Sequence, residues 1–315
     1  MAGLLQELPP VDAADVARAR AAAAERPIPY PLGSGQAEEV ALAGGLRPLV
    51  RQLLDAPSLE SARARFERAG FLTGVAPRVY GPTRNGWDHT SESLSPDAPG
   101  ARRALFVGRD RDRIAQAIEA DLAKTDEGDR ELGRLLGYPR CCVDAFVATS
   151  RHRLNTDLHA ATIERTRGPA RPRLNALDLA VFHFISWSPC TFDCPWSLAY
   201  ADAVAERLRR RHAAFVARID EALAAHRLVL LDEVQLSLRG AFEGASVTLD
   251  EVWPTARDRH PSAALDPEAH EAVARVLALV RRARRLEVTM EGIVLDGDLL
   301  PGTRGAFVVP FGGRV

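Results

Sequence analysis

At 315 residues, with 46% hydrophobic and 26% charged side chains, the chain can form one large or two ordinary domains and has ample apolar material for a core. Its 41 basic residues nearly cancel 42 acidic ones, which excludes polyelectrolyte behaviour, and no stretch reaches the roughly 18 consecutive apolar residues of a membrane span. Lys124 is the sole lysine. A phosphate-loop lysine motif is therefore excluded, Schiff-base chemistry is confined to Lys124, and arginine clusters lose weight as a sign of nucleic acid.

In chain order, residues 11–25 read as a helix opened by Asp12 or Asp15 and stopped by Pro27, Pro29 and Pro31. Residues 38–55 and 59–69 carry apolar side chains at helical spacing, separated by Ala56-Pro57-Ser58, which predicts an α-helical hairpin. Gly33-Ser34-Gly35 and Gly44-Gly45 lack the third glycine of a dinucleotide fingerprint. Residues 75–100 are rich in Pro, Gly, Ser and Thr and read as a long loop holding Trp87 and His89. A short strand at 104–108 and a helix at 110–123 suggest an α/β element. A helix over 127–136 is capped by Gly137. Tyr138-Pro139-Arg140-Cys141-Cys142 then opens another helix, because proline suits a first helical turn. Residues 174–187 are apolar enough for a buried helix, and Cys194-Pro195 starts a long helix over 196–225. Beyond it, 227–238, 246–253, 286–295 and 306–311 read as strands, with a helix at 267–285. The expected fold class is α+β: a mainly helical central region carrying a four-cysteine site, followed by a small C-terminal mixed sheet. The corresponding divisions are a helical N-terminal region (1–75), a loop or linker (76–103), the cysteine-site region (104–225) and a C-terminal α+β unit (226–315).

The chain's four cysteines fall into two tight pairs, Cys141 with Cys142 and Cys190 with Cys194. Both pairs are predicted at helix N-termini, where the dipole and free amides stabilise the thiolate that metals bind. Together they offer four sulfur ligands, with Arg140 placed to offset part of the negative charge. Neither pair is the C-x-x-C knuckle of a zinc ribbon. Adjacent cysteines in regular helix or strand diverge by roughly 100° or 180°, awkward for one small ion. A cubane tolerates this better, because each sulfur takes its own iron, and Cys194-Pro195 echoes the Cys-Pro end of ferredoxin runs. The spacing thus favours a [4Fe–4S] cluster with zinc as the alternative. A vicinal Cys141–Cys142 disulfide would be strained. A lone cysteine in an apolar segment is ordinarily a small buried hydrophobe, but four incidental cysteines rarely sort into two tight pairs.

The segments GYPRCCVDAF (137–146) and PCTFDCPWSLAYA (189–201) resemble a poorly characterised prokaryotic family with G-Y-P-x-C-C-x-x-x-F and P-C-x-x-x-C-P elements. The resemblance implies that Cys141, Cys142, Cys190 and Cys194 form one functional unit, with Tyr138, Pro139, Pro189 and Pro195 shaping its turns. His183 reads as a core histidine, and His152 and His159 as surface ones, before any of them reads as a further ligand. Phe146, Phe182, Phe184, Trp187, Phe192 and Trp196 fit an apolar shell around the sulfurs. Asp232-Glu233 and Asp250-Glu251 are read as solvated acids. The arginine runs at 207–211 and 281–285 sit late in helices, where cations favour the dipole.

The expected function is metal binding with an electron-transfer or redox role and a redox partner protein. The alternatives are a structural zinc-binding interaction module and a cysteine-dependent enzyme using Cys141 or Cys194. Nucleic acid is disfavoured, no membrane association is expected, and the N-terminus lacks a secretory pattern, so a reducing cytoplasm is the expected compartment.

Overall fold

The computed structural model describes residues 7–25, 35–82, 89–93, 95, 98, 100–150, 155–177, 182–230, 234–254 and 267–311. Helix α1 (Ala13–Glu25) begins where the Asp12 carboxylate accepts the Ala14 amide at 2.8 Å. After α2 (Gly35–Ala43) the structure departs from the expected helical hairpin: Leu49–Leu54 is strand β1, followed by α3 (Ala56–Arg68). The apolar residues Leu49, Val50, Leu53 and Leu54 satisfy a helical period and a two-sided strand equally well. Gly45, at φ 69°, turns the chain, and Pro48 lacks the amide that a continuing helix would use. In the strand, Leu49 and Leu53 face one core and Val50 and Leu54 the other. Asp55 caps α3 by accepting the Ser58 amide at 2.9 Å.

The stretch expected as a loop contributes β2 (Leu72–Pro82) and β3 (His89–Ser93), which join β4 (Arg102–Gly108) and β1 in an antiparallel sheet of order β1-β4-β2-β3. Its proline content is accommodated because the β2–β4 register shifts between Val75 and Val79, so Pro77 lies where the ladder is interrupted, and Pro82 is the last residue of β2. His89 begins β3; Trp87 lies outside the described residues. Helices α4 (Arg111–Ala123) and α5 (Asp126–Leu135) cover one face of this sheet and α3 the other. The two helices are capped by Asp110 and Thr125, and α5 ends at Gly137, φ 75°.

Helix α6 (Arg140–Ser150) crosses α5 at Gly133, where an added Cβ would lie 2.6 Å from Val143 Cγ2 and 3.0 Å from Cγ1. Gly133→Ala is therefore expected to destabilise the protein by about 1–2 kcal/mol despite alanine's better helix propensity, read as a lower urea midpoint at unchanged m-value. An unchanged or higher midpoint would show that α6 shifts freely on α5.

Helix α7 (Asn155–Arg165) and a short 3-10 turn (Pro172–Leu174) follow. The buried helix expected over 174–187 is absent among the described residues of that stretch, where the backbone is irregular after Leu174. Phe182, Phe184, Ile185 and Trp187 are buried all the same, and a continuous apolar run signals burial without specifying helix. Helix α8 (Pro195–Leu223) is 29 residues long and is kinked at His212 (φ −141°, ψ 54°).

The C-terminal sheet is larger than expected and is antiparallel rather than mixed. Strands β5 (His226–Leu230), β6 (Val234–Glu243), β7 (Ser246–Pro254), β8 (Arg285–Val288), β9 (Ile293–Leu295), β10 (Asp298–Leu300) and β11 (Phe307–Val309) pair in the order β10-β9-β8-β7-β6-β5-β11. The single strands expected at 227–238 and 286–295 are each an antiparallel pair folded back on itself. Helix α9 (Pro267–Arg282) and α1 pack together against this sheet, joined by an Arg282–Asp15 ion pair at 3.0 Å. Val309 and Phe311, at and just past the end of β11, enter a different core, the one around the cysteines, where Phe311 meets Phe192 edge-on at 5.1 Å. Among the described residues, no helix is long and apolar enough to cross a membrane.

Candidate metal centre

Two local structures bring the sulfurs together. In the first, Gly137 reverses the chain after α5, and the Pro139 carbonyl accepts the Cys142 amide at 2.9 Å and the Val143 amide at 3.1 Å. Cys141 and Cys142 therefore sit in the first turn of α6, as the proline spacing predicts. In the second, residues 189–194 make a tight loop closed by the Cys194 amide on the Thr191 carbonyl at 3.2 Å, and Cys194 caps α8 with Pro195 in its first turn.

The loop is pinned from outside. Thr162 Oγ1 of α7 shares its proton between the Leu158 carbonyl of its own helix at 2.9 Å and the Pro189 carbonyl at 3.2 Å, and Thr166 Oγ1 accepts the Phe192 amide at 2.9 Å. The Arg171 amide donates to the Phe192 carbonyl at 2.8 Å, and the Asp193 carboxylate accepts the Gly168 amide at 2.6 Å. Burial opposes ionisation of Asp193, but hydrogen bonds from Thr191 and from nearby backbone amides outweigh it and hold the carboxyl below its ordinary range.

The four sulfurs all lie within 4.8 Å of one another. Cys194 Sγ is 3.8 Å from both Cys141 Sγ and Cys142 Sγ, and the adjacent pair are 4.0 Å apart, so the expected divergence of neighbouring cysteines does not occur here. Cys142 and Cys194 are buried, Cys190 is half-buried, and Cys141 is exposed as a residue while its sulfur faces the other three. Desolvation, reinforced by Cys190 and Cys194, pushes the Cys141 thiol up to about 12. Hydrogen bonding with Cys190 and Cys194, and then burial, raises Cys142. Cys194 moves the other way, because Cys142 and Cys190 hydrogen-bond to its sulfur and stabilise the thiolate. A cation entering the cluster would replace thiol protons, because thiolates are the metal-binding form.

Donors approach the sulfurs from behind. The Cys190 amide reaches Cys142 Sγ at 3.3 Å. Fully buried Ser197 accepts Trp187 Nε1–H at 3.1 Å, which leaves its own hydroxyl proton for Cys142 Sγ at 3.2 Å. Arg140, expected to offset charge, is turned toward Asp144 at 3.6 Å and is almost fully exposed, so an amide and a hydroxyl take that role. For a metal held by the four cysteines, Ser197→Ala is expected to weaken affinity by about 10–100-fold, while Ser197→Thr retains a hydroxyl and most of the affinity, as measured by chelator competition. Equal affinities in all three proteins would remove Ser197 from the centre.

The apolar shell is partly as expected. Phe182, Phe184, Trp187 and Phe192 are buried in the same core as Cys142 and Cys194, whereas Phe146 and Trp196 are exposed, at 40% and 69%. His183 is buried and His159 lies on α7; among the described residues neither belongs to the ligand-bearing group, and His152 lies outside them. Asp232 and Glu233 also fall outside the described residues, and Glu251 faces Arg239 at 3.5 Å. Within the arginine runs, Arg209 and Arg210 pair with Glu206, and Arg207 donates to the Gly44 carbonyl. Ser197, Thr162 and Thr166 are parts of the site region that spacing does not reveal, since each comes close only through the fold.

A family model described as "Protein of unknown function (DUF483)" matches residues 111–214, about a third of the chain, from the start of α4 to just past the kink in α8. All four cysteines fall inside it. No curated protein and no solved structure matches the chain.

Proposed function

We propose that Cys141, Cys142, Cys190 and Cys194 hold a single tetrahedral metal ion, zinc, in a closed structural centre that ties α6 to the start of α8. The observation that carries this reading is the sulfur spacing. An ion bound at about 2.3 Å to four tetrahedral thiolates separates them by roughly 3.8 Å. Three of the separations here are 3.8, 3.8 and 4.0 Å. Thiolates on the four corners of a [4Fe–4S] cubane stand roughly 6.5 Å apart. The cluster favoured by linear spacing would thus have to push this pocket open, against a loop held by Thr162, Thr166, Gly168 and Arg171.

Four protein ligands leave no open coordination position, which supports a structural rather than a Lewis-acid role. A redox role with a partner protein belongs to the cubane reading and falls with it. A thiolate nucleophile at Cys194 fits poorly, since that sulfur is buried and is already occupied by its neighbours. Purification under anaerobic conditions followed by zinc, iron and sulfide analysis tests the proposal. Colourless protein with one zinc per chain and no acid-labile sulfide is the expected result; brown protein with stoichiometric sulfide overturns it in favour of the cluster.

A further inference from the structure

Beside the centre, but outside the segment matched by the family model, lies a buried cation. Arg47 stands between α2 and β1 with its side chain fully enclosed and paired to Glu38 at 2.9 Å. Its guanidinium reaches both cysteine-bearing segments. Nε donates to the Leu136 carbonyl at 2.9 Å, just ahead of the Gly137-Tyr138-Pro139 turn that starts α6. Nη1 donates to Ser186 Oγ at 2.7 Å, just ahead of the Cys190 loop. Tyr138 and Trp187, one from each segment, lie against the same cation at 4.7 and 5.8 Å and pack on one another at 4.9 Å with their planes tilted by 39°. Trp187 also carries the hydrogen bond that orients Ser197 toward Cys142.

We infer that Arg47, held by Glu38, is the positioning residue of the metal centre: it fixes the α6 turn and the Cys190 loop relative to one another so that the two sulfur pairs converge. This rests on the metal-binding reading above. A planar fork with donors in several fixed directions suits the task, since one guanidinium satisfies a carboxylate, a carbonyl and a hydroxyl while presenting a flat face to an aromatic ring. Lysine cannot reproduce that geometry. The residues matched by the family model therefore do not complete the site on their own; residues 35–47 supply its brace.

The test uses the full chain loaded with cobalt(II), whose thiolate charge-transfer and ligand-field bands report coordination geometry. Dissociation into excess chelator is timed for the native chain, Arg47→Lys, the milder Ser186→Ala, and Phe66→Leu as a control in the core on the far face of the four-stranded sheet. Arg47→Lys is expected to release cobalt about 10-fold faster and to shift the ligand-field bands, with Ser186→Ala a few-fold faster in the same direction. Phe66→Leu is expected to lower thermal stability while leaving spectrum and release rate unchanged. Native-like release and spectra in Ser186→Ala, together with either native-like behaviour or failure to fold in Arg47→Lys, would overturn the positioning role. So would equal acceleration in Phe66→Leu, which would show that global stability alone sets the rate. A native chain that binds no cobalt would instead overturn the metal reading itself.

Discussion

Cys194→Ser is expected to purify without stoichiometric zinc, to bind added zinc at least about 100-fold more weakly, and to melt on the order of 10 °C lower than the native chain. Serine is nearly isosteric, so packing in the buried site changes little, and it is a favoured residue at a helix N-cap, where Cys194 stands. What disappears is the sulfur that lies 3.8 Å from both Cys141 and Cys142 and draws hydrogen bonds from its neighbours. Structural zinc in small domains contributes an apparent 10–16 kcal/mol or so, so even partial loss dominates any packing effect. Cys142→Ser should behave similarly, because Cys142 also takes the Cys190 amide and the Ser197 hydroxyl. Zinc stoichiometry and a thermal melt in the same buffer decide the matter. A variant that keeps both native zinc content and native melting would show that the sulfurs are merely packed together.

Removing the metal from the native chain should loosen one region and spare two. Hydrogen exchange after chelation is expected to rise on the order of 100-fold in the first turn of α6, across residues 182–194 and in the first turn of α8. Residues 182–194 have no helix or strand ladder, and their order depends on the hydrogen bonds around Thr162, Thr166, Gly168 and Arg171 and on the sulfurs they present. The sheets are differently secured. The four-stranded sheet is covered on both faces by α3, α4 and α5, and α1 and α9 pack together against the seven-stranded sheet; these cores contain none of the four cysteines, and of the strands only β11 reaches the cysteine core. Their protection should remain near native. A uniform loss of protection across both sheets would mean that the metal supports the whole chain; no change anywhere would mean that it supports nothing.

Which parts of this architecture could be read from residues alone follows from the kind of signal each carries. Helix starts marked by a capping side chain, at Asp12 and Asp110, or by a proline in the first turn, at Cys194-Pro195, fall within a residue or two of their expected places, because such signals act locally. Leu49 to Leu54 misleads because its apolar spacing fits both periods, and only pairing with β4 selects the strand. Residues 182–187 mislead differently: burial is legible in Phe182, Phe184 and Ile185, but backbone shape depends on partners distant in sequence. The size and antiparallel order of the C-terminal sheet follow from pairings that no single strand specifies. At the centre, the four cysteines announce themselves by clustering in the chain. Their ligand geometry does not, since the sulfur separations are set by side-chain directions at the α6 terminus and by a loop braced from α7. Arg47 is the extreme case: one arginine among many, distinguished only by being enclosed between the two cysteine segments.

X-ray absorption at the metal edge of the anaerobically purified full chain tests the four-thiolate centre most directly. A zinc edge with four sulfur neighbours at about 2.3 Å and no heavier scatterer beyond them is the expected result. An iron edge with a second shell of iron at about 2.7 Å would contradict the single-ion centre, and zinc ligated by nitrogen or oxygen in place of two sulfurs would contradict the convergence of Cys141, Cys142, Cys190 and Cys194 on one ion.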